Sequence, residues 1–547
     1  MRVVGIYGQG NKWTHDHNIA LSENGEITRY AQLERLTQKK YDNRIPEFVT
    51  DLDSDFRISD PETQLAVVNT FAMHDDFFKV ASNAVSDSEG RFVFEESGTS
   101  TLHPQIVDGT VFGKKRTATI VPHEIAHVFS CIPFYGSFKD NSLLVHIDGA
   151  ASLSNSSVWQ YKSGQLKLLH YGFELYQTVH SYSYNDLVLH ILGIPKDRYL
   201  SMPGKLMGYA SFGNHNTDIL QWIKTNSLFE SFKSYPLQSI MSSAKKKFGS
   251  DISLSLHSQF AKNVAFAFQR NFEESLFEYI LRFKKDTSAE YLYYSGGAAL
   301  NIKFNSKLAN SGLFKEVYIP PPAGDSGLSL GAVSYLNWKQ GKDPQVSSPY
   351  LNNLQLDPWE FDPEFSIDEV CQLLDCGAVI GVCTGAGEAG PRALGHRSIL
   401  AIPEEKMFKK VSMELKGREW YRPLAPIVLE RNTFKIFENS KVSSFAKYML
   451  QEFTVKEEYR RKIPAVVHVD GTSRPQIVNP EDPELSLITA ILQKMDDEYG
   501  YPCLINTSFN SAGEPIVHNK DDARKSAKKM GLDALILDNK LYRSGEW

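Results

Sequence analysis

The sequence predicts an α/β protein, a duplicated α/β unit followed by a second α/β domain. Three observations predict it. A strand, a glycine-bearing turn and a hairpin open the chain and recur near residue 143; a stretch rich in Pro, Asn and Asp interrupts it between 341 and 363; and beyond that stretch strands and helices begin again around a loop rich in glycine and arginine.

The first unit starts with an apolar strand, Val3 to Tyr7, ending at Gly8. A strand near Asn18 to Leu21, the Asn24-Gly25 turn and a strand from Glu26 to Gln32 complete a hairpin, because Asn-Gly readily takes the positive φ that a tight turn demands. In the second unit Leu143 to Ile147 ends at Asp148-Gly149, and strands near Ser156 to Tyr161 and Gln165 to His170 flank the Ser163-Gly164 turn. Two copies of a strand that ends in a nucleotide-facing turn suggest a duplicated actin-like core. Phe260, Val264, Phe268, Phe272, Leu276 and Ile280 form a helical stripe, read as core packing. Tyr291 to Ser295 is a strand running into Gly296-Gly297 and a helix from Ala298, while Pro203 to Gly208 reads as a flexible loop carrying Lys205. With the duplicated core, these turns favour ATP over a dinucleotide. The first domain is expected at 1–345, the connection at 346–365, and the second domain at 366–547, with strands such as Ala378 to Val382 and Cys503 to Asn506 and a helix over Pro483 to Tyr499.

Length and composition set outer limits. A chain of 547 residues suits about two to four domains, each with its own core. With 59 basic and 65 acidic residues, the formal charge is −6, so no basic excess advertises nucleic acid. Met1 leads straight into a strand, with no signal-peptide apolar region and no later run fit to span a membrane, so a soluble cytoplasmic protein is expected. The five cysteines include no Cys-x-x-Cys pair, and all five are expected to be buried thiols.

Chemistry concentrates in a few places. His123-Glu124-Ile125-Ala126-His127 puts two imidazoles one helical turn apart, the spacing of a zinc protease. The chain then runs through Cys131-Ile132-Pro133 into the strand before Asp148, an unsuitable context for a protease, and the residues alone leave metal binding and a mere shared helix face both open. Asp148 and Asp325, the latter in a Pro- and Gly-rich turn, are the carboxylates available as further ligands. Residues 385 to 398 combine the spacing Gly385-x-Gly387-x-x-Gly390 with Pro391, Arg392 and Arg397. Two guanidinium forks suit a highly charged phosphate or carboxylate better than a cofactor pyrophosphate. Lys416, Arg418 and Arg422 alternate with other residues, so an extended segment would align three cations. Arg474 and the turn Asn506 to Asn510 join them in the same domain, a set suited to a small, doubly charged phosphate.

As an ordered series these motifs resemble the O-carbamoyltransferases of the nodulation-factor and antibiotic-tailoring type, over nearly the whole chain. The series runs His15-Asp16, Glu34-Arg35 with Lys40 and Asp42, His123 and His127, Asp148-Gly149, Pro203 to Gly208, Gly296 to Asn301, Pro321 to Gly327, Gly390 to Leu400, Lys416 to Pro426, Asp470 to Arg474 and Asn506 to Val517. The resemblance implies an actin-like metal- and ATP-binding domain followed by a YrdC-like one. It implies that carbamoyl phosphate and ATP give carbamoyl-adenylate, whose carbamoyl group passes to a hydroxyl of a small-molecule acceptor, leaving AMP.

By the same resemblance His123, His127 and Asp325 would hold a divalent metal of the iron(II) type, with Asp148 a further ligand or an orienter; imidazole and carboxylate donors equally suit zinc or manganese, and magnesium is an option with ATP. His15 would deprotonate the acceptor and Lys40 steady phosphate. Gly149, Lys205, Gly296, Gly297 and Asn301 would meet ATP or the adenylate, and Arg392, Lys416, Arg418, Arg422, Arg474 and Asn506 carbamoyl phosphate. The chain departs from the family pattern at His17-Asn18, where small residues are usual, at Tyr41, where histidine is usual, and at Ala386, a position more often basic or bulky. Two other functions compete: a tRNA-modifying enzyme using related carbamoyl-adenylate chemistry, and a non-catalytic nucleotide-binding scaffold. The missing basic excess counts against the first, and the complete set of candidate ligands against the second.

Overall fold

The computed structural model describes residues 1–8, 14–69, 92–94, 102–230, 236–438 and 441–547. Three mixed sheets carry the architecture. The first contains β1 (Arg2–Tyr7), β2 (Asn18–Glu23), β3 (Glu26–Gln32), β4 (Thr63–Asn69), β5 (Phe92–Phe94), β6 (Gln105–Val111) and β7 (Lys114–Pro122), in the order β3-β2-β1-β4-β7-β6-β5. The second contains β8 (Ser142–Ile147), β9 (Ser156–Lys162), β10 (Gln165–Gly172), β11 (Tyr291–Ser295) and β12 (Glu316–Tyr318), in the order β10-β9-β8-β11-β12.

The two sheets repeat one plan. In each, an antiparallel three-strand meander turns its first strand inward, and two further strands follow in parallel: β4 on β1 and β7 on β4, β11 on β8 and β12 on β11. The hairpins expected at Asn24-Gly25 and Ser163-Gly164 are present, with Asn24 and Ser163 both at positive φ. Central strands with helices on both faces lose the alternation of a half-exposed strand. Accordingly β1 is buried from Val3 to Tyr7 and β8 throughout.

Two helices pack between these sheets. Helix 328–339 is buried from Leu328 to Asn337 and lies on β1 so closely that a Cβ at Gly5 would sit 2.2 Å from the Ser329 carbonyl oxygen. It crosses helix 123–129 just as tightly: a Cβ at Gly331 would sit 1.7 Å from the Ala126 oxygen. The long helix Gln259–Thr287 buries Phe260, Val264, Phe268, Phe272, Leu276 and Ile280, as its stripe predicts. Pro203 to Gly208 departs from expectation. It lies within helix Met202–Ala210, where Pro203 occupies the first turn, a place that needs no backbone donor.

The third sheet comprises β13 (Ile380–Cys383), β14 (Arg397–Ala401), β15 (Ala425–Leu429), β18 (Gln476–Val478), β19 (Leu504–Ser508), β20 (Ala534–Leu537) and β21 (Lys540–Arg543), with β16 (Phe453–Thr454) and β17 (Thr472–Ser473) as a separate ribbon. Its order is β18-β15-β19-β14-β13-β20-β21. The stretch from 346 to 365 is mostly irregular but firmly held. Asn352 bridges to Tyr30 on one side and Gly387 on the other, and its side chain exchanges hydrogen bonds with Gln32 and donates to the Glu388 carbonyl. Four of the five cysteines are buried, whereas Cys376, at the exposed end of helix 367–375, corrects the expectation for all five. Among the described residues no helix is long and apolar enough to cross a membrane.

Candidate active site

The chain turns from β7 directly into helix His123–Phe129, so His123 and His127 share one face. Their Nε2 atoms are 2.9 Å apart, and both rings are buried. Asp148 Oδ2 lies 3.2 Å from His127 Nε2, while Asp325 Oδ1 lies 3.5 Å from His123 Nε2 and 3.4 Å from His127 Nε2. Ligand atoms on one cation at about 2.1 Å stand roughly 3 to 3.4 Å from each other. Imidazole and carboxylate atoms at these separations therefore fit a shared divalent cation, and the donor set suits iron, zinc or manganese.

Asp148 is aimed by the parallel pairing of β8 with β11, which brings Gly297 alongside. The Gly149 and Gly297 N–H groups donate to its two carboxylate oxygens. Gly296 makes this possible: its φ is +98°, and a Cβ there would sit 2.1 Å from the Ile147 oxygen. Tyr7 donates its hydroxyl to Asp325 Oδ2 at 2.7 Å. Burial alone would raise the Asp325 carboxyl, but His123, His127 and His15 hold it well below the usual carboxylate range. Glu124 of the protease-like motif points elsewhere and accepts from the Leu153 N–H and the Ser154 hydroxyl, so it is no base at this centre.

One residue of the cluster escapes sequence reasoning. His146, on β8, places a ring nitrogen within 4.8 Å of the ligand atoms of His123, His127 and Asp148. Its position two residues before Asp148, on the same face of a strand, was the available signal.

Beside this centre His15 Nδ1 lies 2.9 Å from Asp16 Oδ2. Burial opposes a charged His15, but Asp16, Asp325 and Asp148 carry its pKa up to about 10. The ring of Tyr41, held at φ +58° with its N–H on Glu34 Oε2, stands 6.1 Å from that of His15. Lys40 is pulled down by burial and by Arg422 and Arg418, against the opposing fields of Glu34 and Asp16. The carboxylates at 34 and 16 and the guanidinium groups at 422 and 418 thus act on it in opposite directions.

Those cations are gathered as the sequence suggests, though not on a strand. Lys416 to Arg422 form an irregular turn after a π-helical segment, Phe408–Leu415. Arg392, Arg418 and Arg474 form no ion pair with a described residue, and the Nε atoms of Arg392 and Arg474 and Oδ1 of Asn506 are buried without a hydrogen-bond partner. Burial and Arg422 draw the Arg392 guanidinium down to about 10, and burial with Arg422 and Arg392 draws Arg418 to about 9. Burial and its cationic neighbours likewise push Lys416 and Arg474 well below their ordinary values. Guanidinium groups that repel one another and lack an ion-pair partner are the donors an anion would meet there. Lys416 also ties down the loop after β19, donating to the carbonyls of Ser508 and Asn510.

The loop 385–398 divides its arginines. Arg392 joins the cation cluster, but Arg397 is buried and spends its guanidinium on the carbonyls of Thr384, Gly385, His396 and His518. Glu388 caps the same loop from within, accepting the N–H groups of Leu394, His396 and Arg397. Gly390, at φ +97°, donates to Gln32, accepts from Arg35, and would drive a Cβ to 2.6 Å from the Pro321 oxygen. The turn that leads to Asp325 thus touches the turn that leads to Arg392. Lys205 pairs with Glu419 at 2.6 Å, and Asn301 caps helix 302–310 while bonded to Gln269 and Tyr182.

Family models match both parts of the chain: carbamoyltransferase N-terminus over residues 5–334 and carbamoyltransferase C-terminus over residues 371–544. The chain belongs to the carbamoyltransferase family. As a carbamoyltransferase it is a transferase enzyme that moves a carbamoyl group. Its relatives include nodulation protein U of Azorhizobium caulinodans, 27% identical over 92% of this chain and 93% of the relative. Nodulation protein NolNO of Sinorhizobium fredii is 26% identical over 97% and 79%. The uncharacterized protein MJ1058 of Methanocaldococcus jannaschii is 28% identical over 78% and 74%. Among solved structures, full-length HypF in a phosphate- and nucleotide-bound form covers 62% of this carbamoyltransferase and 55% of that chain, at 12% identity and a TM-score of 0.32, too distant to carry weight here.

Proposed function

We propose that the chain is an O-carbamoyltransferase that makes carbamoyl-adenylate from carbamoyl phosphate and ATP and passes its carbamoyl group to a hydroxyl of a small-molecule acceptor. One observation carries this reading: the turn that leads to the buried imidazole and carboxylate centre touches the turn that leads to Arg392, whose Nε is buried without a hydrogen-bond partner. In this reading residues 1–345 are a duplicated actin-like domain, 346–365 a connection and 366–547 a YrdC-like domain, consistent with the repeated strand order.

The cations Arg392, Arg418, Arg422 and Arg474, with Lys416 and Asn506 behind them, take carbamoyl phosphate, which water cleaves to carbamate and phosphate. A carbamate oxygen attacks the α-phosphorus of ATP and expels pyrophosphate. Gly149, Gly296 and Gly297 offer close backbone approach to the nucleotide, while Lys205 and Asn301 border it. The acceptor oxygen, its proton passed to His15, then attacks the carbamoyl carbon and expels AMP, while Lys40 steadies the departing phosphate charge. A divalent cation held by His123, His127, Asp148 and Asp325 would supply Lewis-acid polarisation and offset the part of the field on His15 that comes from Asp325 and Asp148, leaving its contact with Asp16.

The test is turnover of ATP with carbamoyl phosphate and added iron(II), zinc or manganese. AMP and pyrophosphate should form only when carbamoyl phosphate is present, and hydroxylated acceptors should gain the mass of a carbamoyl group. ATP left intact under all three metals would sink the reading.

A further inference from the structure

We propose that His146 is a ligand of the same divalent cation, giving this centre three imidazoles. The inference rests on the reading that a cation is held by His123 and His127. His146 is fully buried on β8, and its Nε2 is enclosed with no hydrogen-bond partner. A buried ring nitrogen without a partner forfeits its hydration, and few such groups persist without a ligand. Its other nitrogen is engaged: Nδ1 lies 3.1 Å from the Ser157 hydroxyl on the neighbouring strand β9, held there by the pairing of His146 with Ser157. A proton on Nδ1, donated to that hydroxyl, leaves the lone pair on Nε2 free for a metal, the usual arrangement in which an outer partner fixes the tautomer of a ligating histidine.

Position agrees with tautomer. The His146 ring stacks on His127 with centroids 5.0 Å apart and planes 18° from parallel, and it faces His123 at 6.2 Å. A ligand nitrogen of His146 falls within 4.8 Å of those of His123 and His127 and of an oxygen of Asp148. A shift of the side chain by the order of an ångström completes a common coordination shell. A third imidazole moves the donor set from oxygen towards nitrogen, which favours iron(II), cobalt(II) or zinc over manganese or magnesium.

The experiment loads metal-stripped full-length protein with cobalt(II) alone and reads affinity and the visible d–d bands, without substrates. His146→Phe keeps the stacking volume and removes the nitrogen. It should weaken cobalt(II) binding by at least about tenfold and shift the d–d bands, with the metal-free melting temperature held, and Ser157→Ala should weaken binding by a smaller factor. X-ray absorption on the zinc-loaded wild type, which needs no variant, should count three imidazoles. Two imidazoles, or a His146→Phe protein with unchanged affinity and spectrum, would overturn the proposal. Cobalt(II) binding that survives His123→Ala would overturn the underlying metal reading, and this proposal with it. Loss of binding in His123→Ala beside an unchanged His146→Phe would reject His146 alone.

Discussion

Arg392 offers the sharpest test of the anion receptor, because the site should cost stability when empty of an anion. A guanidinium stays charged at every ordinary pH. A fall from the ordinary arginine range to about 10, caused first by burial and then by Arg422, therefore corresponds to strain present in full at neutral pH. At ~1.4 kcal/mol per factor of ten this amounts to about 3 kcal/mol, and the partial exposure of the side chain reduces it to about 1 to 2 kcal/mol. The sign follows from linkage. The folded value lies below the unfolded one, so the charged form burdens the fold at all pH values below about 10, and the burden lifts only in strong alkali. Arg392→Met keeps much of the side-chain volume and removes the charge. Its melting temperature without ligand should rise by a few degrees, on the order of 3 °C. Saturating phosphate should raise the wild-type melting temperature by a similar amount, and the variant's by much less. The measurement is a pair of thermal scans with and without phosphate, in a chloride buffer of matched ionic strength. If Arg392→Met melts lower than wild type and phosphate protects both equally, the cations are structural and the receptor argument fails.

Three other outcomes follow from the packing. Gly390→Ala forces a side chain onto a φ of +97° and into the Pro321 oxygen. It should cost about 1 to 3 kcal/mol and raise the KM for carbamoyl phosphate more than it lowers expression. Lys303 bridges Glu452 and Asp470 at 3.4 and 2.8 Å between the segments matched by the N-terminal and C-terminal family models, so Lys303→Met leaves these carboxylates the Thr472 hydroxyl in place of a cation and should cost about 3 kcal/mol in urea unfolding. Glu452→Gln in the same chain should restore part of that loss. His518 is buried, bonded to the Leu354 carbonyl and depressed to about 4, chiefly by burial. The unfolded chain protonates first, so stability should fall as pH drops from about 6.5 towards 4, and His518→Asn should flatten that slope in calorimetry.

Much of the architecture was legible because its signals are local. The hairpins at Asn24-Gly25 and Ser163-Gly164 announce themselves by turn chemistry, and the helix stripe from Phe260 by its period. Local signals also misled. A Pro-Gly pair suggested a loop at 203–208, yet Pro203 starts a helix there. Alternating cations suggested an extended segment at 416–422, where the chain turns back on itself. Arg392 and Arg397 look alike in sequence, but only the fold decides that one meets carbonyls while the other is left unpaired. His146 was hidden by its setting inside an apolar strand, where only its place two residues before Asp148 marks it. The partnership of His123 with Asp325 depends on the chain returning after some two hundred residues, and the family resemblance supplied it where periodicity does not.

Asn352 pairs with Tyr30 on one side and Gly387 on the other, serving as a one-residue splice between them. A chain cut before it would turn docking of the halves from an intramolecular event into a bimolecular one, surrendering an effective concentration on the order of millimolar. Two separately expressed halves would then meet according to their abundance in solution. An unbroken peptide makes the yield of the assembled pair independent of dilution, so the dependence of activity on concentration in the cut pair becomes a direct reading of how much the covalent connection contributes.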